Sequence, residues 1–245
     1  MTMSDPPDLI PTQNGYGWTS TVPNPMTCRF LERIETLREP RVIDIGAGLG
    51  VATLPALAAG AFVIANDISE PHLQAIGKDA TRAGTRDRLE LLKAALPDLP
   101  HVGALDAAHA SNVLHFLTGP EMEKAVAWIW DSLKPNGRAY IQVQSPYCGH
   151  FQAFLPEYFR RKKLDLQWPG EMYNAREFAS PEVREMTPQF THVMEADHAR
   201  GLFERAGFGV EYCDYYRRPG LPKICWLDGR ENLGLVIVRR ASAGD

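Results

Sequence analysis

Apolar and polar residues alternate with two different periods along this chain, and the switches between them mark out its elements. Residues 41–45, 61–67, 89–92, 105–112 and 139–143 are short apolar runs, several of them β-branched, bounded by turn residues. Runs of this kind predict buried strands. Between them the period becomes helical. Residues 26–38 place Phe30, Ile34 and Leu37 on one face. A helix over 51–59 is stopped by Gly60, and one over 70–83 has Ser69 as its N-cap and Gly84 as its stop. Thr118-Gly119-Pro120-Glu121 has the form of a capping box, and the helix behind it lines up Met122, Ala125, Val126, Ile129 and Leu133. Lys134-Pro135-Asn136-Gly137 reads as a tight turn. Strands alternating with helices at this spacing predict a parallel sheet covered on both faces.

Residues 145–195 break the alternation. They hold five prolines and nine aromatics, with a predicted helix over 151–163 and irregular stretches around Trp168-Pro169-Gly170 and Thr187-Pro188. A segment this long inside an α/β pattern reads as a lid. The pattern then resumes with a helix over 196–206 and two strands, 210–216 and 233–238, expected to pair as an antiparallel hairpin. The expected organisation is one domain over 1–245: an arm and helix (1–40), a core (41–144), the lid (145–195), and a terminal helix and hairpin (196–245). Prolines and the Asn14-Gly15-Tyr16-Gly17-Trp18 segment predict an extended arm whose aromatics need covering.

Composition narrows the classes. At 245 residues the chain can build one full α/β core. A hydrophobic fraction of 44%, with 23% charged residues, is ordinary for a globular protein. The net charge of −4 gives no support for a nucleic-acid or anionic-membrane partner. No apolar run has the length of a membrane span, and the polar, proline-containing start has no signal-peptide core. Cys28, Cys148, Cys213 and Cys225 are scattered, without a C-x-x-C pair or zinc spacing, so reduced thiols, no metal and a cytoplasmic protein are expected.

The chemistry centres on Arg41-Val42-Ile43-Asp44-Ile45-Gly46-Ala47-Gly48-Leu49-Gly50, a strand ending in a carboxylate followed by a glycine at every second position. Dinucleotide enzymes use G-x-G-x-x-G, and a P-loop needs Gly-Lys-Ser/Thr. Here the residue three beyond Gly48 is Val51, so neither phosphate-binding spacing is present. A strand, a carboxylate and a loop of free amides remain, suited to a small anionic or zwitterionic ligand.

Asp44 to Gly50 resembles the acidic-x-G-x-G-x-G motif of class I SAM-dependent methyltransferases, and Asp67 stands at the end of the second strand, where that family holds the ribose hydroxyls. The Ser111-Asn112-Val113-Leu114-His115-Phe116-Leu117 stretch and the Lys134–Gly137 turn extend the resemblance across 41–143. It implies a doubly wound, seven-stranded Rossmann-like sheet, mostly parallel with a C-terminal antiparallel hairpin, and S-adenosylmethionine as cofactor. By position, Asp44, Gly46, Ala47 and Gly48 would line its methionine part and Asp67 its ribose. Ala94, Ala95, Leu96 and Ile68 would flank adenine, with Asn112 and Val113 beside the sulfonium. Ala94 replaces the family's frequent adenine-binding Asp, which leaves adenine to backbone groups and apolar packing.

The acceptor is read as a small organic molecule, methylated at O or N. An (Asp/Asn)-Pro-Pro-Tyr signature of nucleic-acid amino methylation is missing, since Asn112 is followed by Val-Leu-His. His115, Tyr147 and His150 are the candidate bases, with Glu171 and His192 as further lid candidates; His109, in mid-strand, reads as core. Tyr16, Trp18, Tyr147, Phe151, Trp168, Tyr173 and His192 are expected to wall the acceptor or to form the lid's own core. The rival readings are a nicotinamide-dependent oxidoreductase, which the glycine spacing opposes, and a non-catalytic SAM-binding regulatory domain.

Overall fold

The computed structural model describes residues 9–11, 18–218 and 220–241. A two-stranded ribbon, Leu9–Pro11 with Trp18–Ser20, precedes helix α1 (Pro25–Glu35). The α/β alternation follows as β1 (Arg41–Ile45), α2 (Thr53–Ala58), β2 (Phe62–Asp67), α3 (Glu70–Arg82), β3 (Leu89–Lys93), β4 (Leu105–Ser111), α4 (Gly119–Ser132) and β5 (Leu133–Gln144). After the 145–195 segment, which carries α5 (Leu155–Lys163), come α6 (Ala196–Arg205), β6 (Gly209–Tyr216) and β7 (Asn232–Val238). The seven strands lie in the order β6-β7-β5-β4-β1-β2-β3, with β7 antiparallel to both β5 and β6 and the remaining pairs parallel. This is the expected Rossmann-like sheet with its antiparallel end.

Both faces of the sheet are covered. Helices α1, α2 and α3 bury Met26, Phe30, Ile34, Leu57, Leu73 and Ile76 on one side. Helices α4 and α6 bury Met122, Val126, Ile129, Leu202 and Phe203 on the other. The capping box forms, the Glu121 carboxylate accepting the Thr118 backbone N–H at 2.8 Å. Ser69 sits at its expected cap position without a side-chain bond; Asp67 Oδ1 accepts the Ser69 N–H at 2.8 Å instead. Strand order reverses between β1 and β4, so their carboxyl ends open a crevice, where ligands of open α/β sheets bind.

Three expected boundaries differ. The 134–137 turn is a bulge within β5: Leu105 pairs with Leu133 and Ala107 already with Arg138. Residues 51–52 belong to the glycine turn, and α2 starts at Thr53. In the 145–195 segment a 3-10 stretch, Gly149–Phe154, kinks at Phe151 before α5 begins, because Pro156 in its first turn suits a helix start but not an interior. The rest of that segment holds a helical turn (Ala175–Phe178) and a ribbon of Glu171–Met172 with Thr191–His192. Its own core joins Phe151, Phe154, Tyr158, Met172 and Val193. Among the described residues no helix is long and apolar enough to cross a membrane.

Candidate active site

After β1 the chain turns through three left-handed glycines, Gly46 (φ 69°), Gly48 (φ 53°) and Gly50 (φ 76°), which L side chains adopt at a cost. At Gly46 a Cβ would also stand 2.4 Å from Val113 Cγ2, so the loop and the end of β4 approach as closely as glycine permits. Asp67, at the end of β2, straps the loop in place, its Oδ2 accepting the Gly48 N–H at 2.8 Å. Its two oxygens accept one backbone bond each, and a carboxylate has about four acceptor positions, so capacity for two hydroxyls remains.

Asp44 is buried in a chain of protein contacts. Its Oδ2 accepts from the Thr53 hydroxyl at 2.7 Å, and its Oδ1 from His109 Nδ1–H at 2.7 Å. A carboxylate only accepts, so the His109 proton facing it is on Nδ1; in that tautomer Nε2 accepts from the Thr27 hydroxyl at 3.0 Å. His109 is thus buried as expected, yet it also lines the site and ties α1 to the loop carboxylate through the Asp44–His109 register of β1 and β4. That pairing is invisible without the register.

One cavity of about 480 Å³ runs along the carboxyl ends of the strands, a size typical of small-ligand sites. Asp44, Gly46, Ala47, Gly48, Asp67, Ile68, Ala94, Ala95, Leu96, Asn112 and Val113 all line it. Asn66 Nδ2 donates to the carbonyls of Leu92 and Ala94, at 3.0 and 2.8 Å, fixing the chain where the family's Asp would stand. Ile68 presents an apolar face that is 45% exposed. Asn112 takes a left-handed conformation (φ 56°), and its buried Oδ1 has no hydrogen-bond partner among the described residues.

Beyond Asn112 the wall is formed by His115, His150 and Phe151 with Val183, Met186 and Pro188. Burial, followed by the neighbouring His150 and His192, pushes His115 down to about 3, and its buried Nδ1 has no hydrogen-bond partner among the described residues. Burial alone lowers His150 to about 4. Its Nδ1 lies 3.2 Å from the sulfur of Cys148, whose thiol burial pushes well above its ordinary value. Both imidazoles are therefore neutral at physiological pH.

Several expected site residues are placed elsewhere. Tyr147 is off the cavity: its hydroxyl donates to Glu195, its ring lies under Arg230 at 3.5 Å, and burial and the Glu195 bond hold its pKa far above 10. It is a proton donor in the segment's anchoring and not a base. Trp168 packs on Gly119 and edge-on to His192, sealing the segment against α4. Tyr173 is 62% exposed, edge-on to Phe190 and donating to Glu171 at 2.9 Å. Glu171 in turn accepts the Gly119 N–H at 2.7 Å, a structural contact at the start of α4. His192 lies behind the wall, donating from Nδ1 to the Leu117 carbonyl at 3.1 Å. Tyr16 falls outside the described residues, as does the side chain of Trp18. In the other direction, Asn24, Thr27, Ser111, Thr187 and Arg218 line the cavity without any spacing signal in the sequence.

An α/β sheet of this order, with a glycine turn held by a strand-end carboxylate, defines a domain of the Rossmann-like class. Residues 42–137 match the family model described as a methyltransferase domain, a family whose cofactor is S-adenosylmethionine. Among solved structures it resembles a Burkholderia thailandensis 1,6-didemethyltoxoflavin-N1-methyltransferase with bound substrate and S-adenosylhomocysteine (TM-score 0.62, 20% identity, 89% of this chain and 78% of that one). It also resembles a SAM-dependent methyltransferase from Methanosarcina mazei (TM-score 0.62, 16% identity, 90% and 99% covered) and a glycopeptide N-methyltransferase complexed with sinefungin (TM-score 0.58, 16% identity, 89% and 86% covered). At these identities the likeness concerns the fold. No curated protein matches the sequence.

Proposed function

We propose that the protein methylates a small organic acceptor, at O or N, in the cytoplasm, with the acceptor held beneath residues 145–195. One observation carries this reading: the cavity is continuous from the Gly46–Gly48 loop and Asp67 to the apolar wall of Phe151, Val183, Met186 and Pro188. A donor at one end and an acceptor at the other would share a single space. The closeness of Gly46 to Val113 and the spare acceptor capacity of Asp67 fit a nucleoside with an amino-acid tail. The cofactor supplies an electrophilic methyl group; everything else is placement by this chain.

Asp44, Gly46, Ala47 and Gly48 would hold the methionine part, Asp67 the ribose, and Ile68, Ala94, Ala95 and Leu96 the adenine, with Asn112 and Val113 beside the reacting centre. Placement of two reactants in line contributes about 7–11 kcal/mol towards the barrier. His115, which lines this wall beside His150, is the proposed proton acceptor as the new bond to carbon forms, its burial-lowered basicity suiting it to a proton made acidic by the methylation itself. Such a base typically contributes about 10²–10⁴-fold. His115→Ala is accordingly expected to lower kcat by that factor while leaving S-adenosylhomocysteine affinity within threefold by calorimetry; an unchanged kcat would assign His115 to packing.

A nucleic-acid acceptor finds little support. The one basic run, Arg160 to Lys163, is half neutralised by two carboxylates: Arg160 and Arg161 both pair with Glu157 at 2.7 Å, and Lys162 pairs with Glu195. The loop is tested by Gly46→Ala, which combines a left-handed φ with the Val113 contact. It is expected to weaken cofactor binding tenfold or more and to lower the melting temperature, as read by calorimetry and thermal denaturation. Incubation with S-adenosylmethionine and a panel of phenols, carboxylic acids and heteroaromatic amines, followed by mass spectrometry for S-adenosylhomocysteine, tests the activity itself. Binding without turnover across that panel would favour a regulatory SAM-binding domain.

A further inference from the structure

Asp44 ends β1 with a carboxylate that is only 2% exposed. A charge buried this deeply is costly unless it is hydrogen-bonded. Each of its oxygens has one donor, the Thr53 hydroxyl on Oδ2 and His109 Nδ1–H on Oδ1, both at 2.7 Å. A hydroxyl is uncharged, and so is an imidazole in the tautomer that donates from Nδ1 and accepts at Nε2. These two donors therefore fix the direction of the carboxylate without cancelling its charge. A carboxylate has about four acceptor positions, so each oxygen keeps one for a ligand.

His109 is itself held at both ends. Its Nε2 accepts from the Thr27 hydroxyl at 3.0 Å, in the first turn of α1, and its ring lies against Phe30 with centroids 5.2 Å apart. Asp44 and His109 stand directly opposite each other in the pairing of β1 with β4. An imidazole with both nitrogens engaged and its face packed has one orientation, and it passes that orientation to Asp44. Thr27, His109 and Asp44 all line the cavity beside Gly46 and Gly48. A residue serving only the core would need neither the paired nitrogens nor a place at the cavity.

We propose that His109 is a positioning residue for cofactor recognition: through its Nδ1–H it turns the Asp44 carboxylate to receive the ammonium of the cofactor's amino-acid tail. The proposal rests on the SAM-dependent reading above and deepens it, since it gives a mid-strand histidine a part in selecting the tail.

Calorimetry on the full chain tests it with two probes, S-adenosylhomocysteine and its desamino analogue, which keeps the carboxylate and lacks the ammonium. The wild-type protein is expected to prefer S-adenosylhomocysteine about tenfold or more, as a charge-assisted bond requires. His109→Gln can still meet the Thr27 hydroxyl but leaves Asp44 Oδ1 without its donor. It is expected to bring the preference below about threefold while the affinity for the desamino analogue is kept. His109→Asn places an amide N–H where Nδ1 stands and gives up the Thr27 contact, and it should retain the preference. Should His109→Gln not fold, His109→Phe, which keeps a ring against Phe30, is read by the same comparison. Equal weakening of both probes in the donor-less variant marks a packing role and overturns the proposal. So does a preference that survives His109→Gln, or one that His109→Asn loses. A wild-type protein that binds both probes equally also overturns it and leaves the SAM reading intact, whereas one that binds neither refutes that reading.

Discussion

Asp67→Ala is expected to weaken S-adenosylmethionine binding by about 1.5–3 kcal/mol, roughly ten- to a hundredfold, through loss of charge-assisted bonds to the ribose. It also removes the acceptor of two backbone N–H groups, Gly48 and Ser69, each bonded at 2.8 Å. A buried donor left without a partner costs about 1–3 kcal/mol, so the variant should be less stable even without ligand. The two effects separate experimentally. Thermal denaturation of the unliganded variant reads the strap, and calorimetry at a temperature where it is folded reads the ribose contact. Asp67→Asn keeps one acceptor oxygen and should fall between the two. Unchanged affinity in Asp67→Ala would remove this carboxylate from the nucleoside site.

Acid should destabilise the fold in a window set by its buried imidazoles. Burial holds His115 at about 3 and His150 and His192 at about 4, against an ordinary value of 6.5. Well above pH 6.5 these rings are neutral in both folded and unfolded chains and contribute no pH dependence. Below it the unfolded chain takes up protons that the folded one refuses, so stability falls as pH drops from 6.5 towards 4. At pH 5 each ring costs about 2 kcal/mol, about 6 kcal/mol for the three, a large share of an ordinary folding free energy. The melting temperature should fall by about 12–24 °C between pH 7 and pH 5. Carboxylates such as Glu195 and Glu231, held below their ordinary range, act in a lower window, since their stabilisation is lost only as pH falls through that range. His192→Asn, behind the cavity wall, should remove about a third of the drop between pH 7 and pH 5. A melting temperature constant over that interval would contradict the neutral cluster.

What was legible in the sequence follows from what local chemistry decides. The β1 run and its three glycines could be read because strand, carboxylate and left-handed turn occupy adjacent residues. The five parallel strands and the terminal hairpin could be read from periodicity. Asp67 could be located because its distance from the loop is set by one βαβ unit. Residues 145–195 resisted for a physical reason: with no repeating period, nothing local decides which aromatic turns inward. Phe151 faces both the cavity and the segment's core, Trp168 seals it against Gly119, and Tyr147 is taken by Glu195. Long-range pairings were equally hidden. The Asp44–His109 contact depends on the register of β1 against β4, and Arg218 reaches the cavity from an irregular stretch after β6.

The central claim is that one cavity, floored by the Gly46–Gly48 loop and Asp67, takes an adenosyl cofactor. Calorimetric titration of the full chain with S-adenosylhomocysteine and, separately, with NADH tests it most directly. Binding of S-adenosylhomocysteine at one site per chain, with no heat from NADH, is the predicted result. Saturable NADH binding without S-adenosylhomocysteine binding would contradict it.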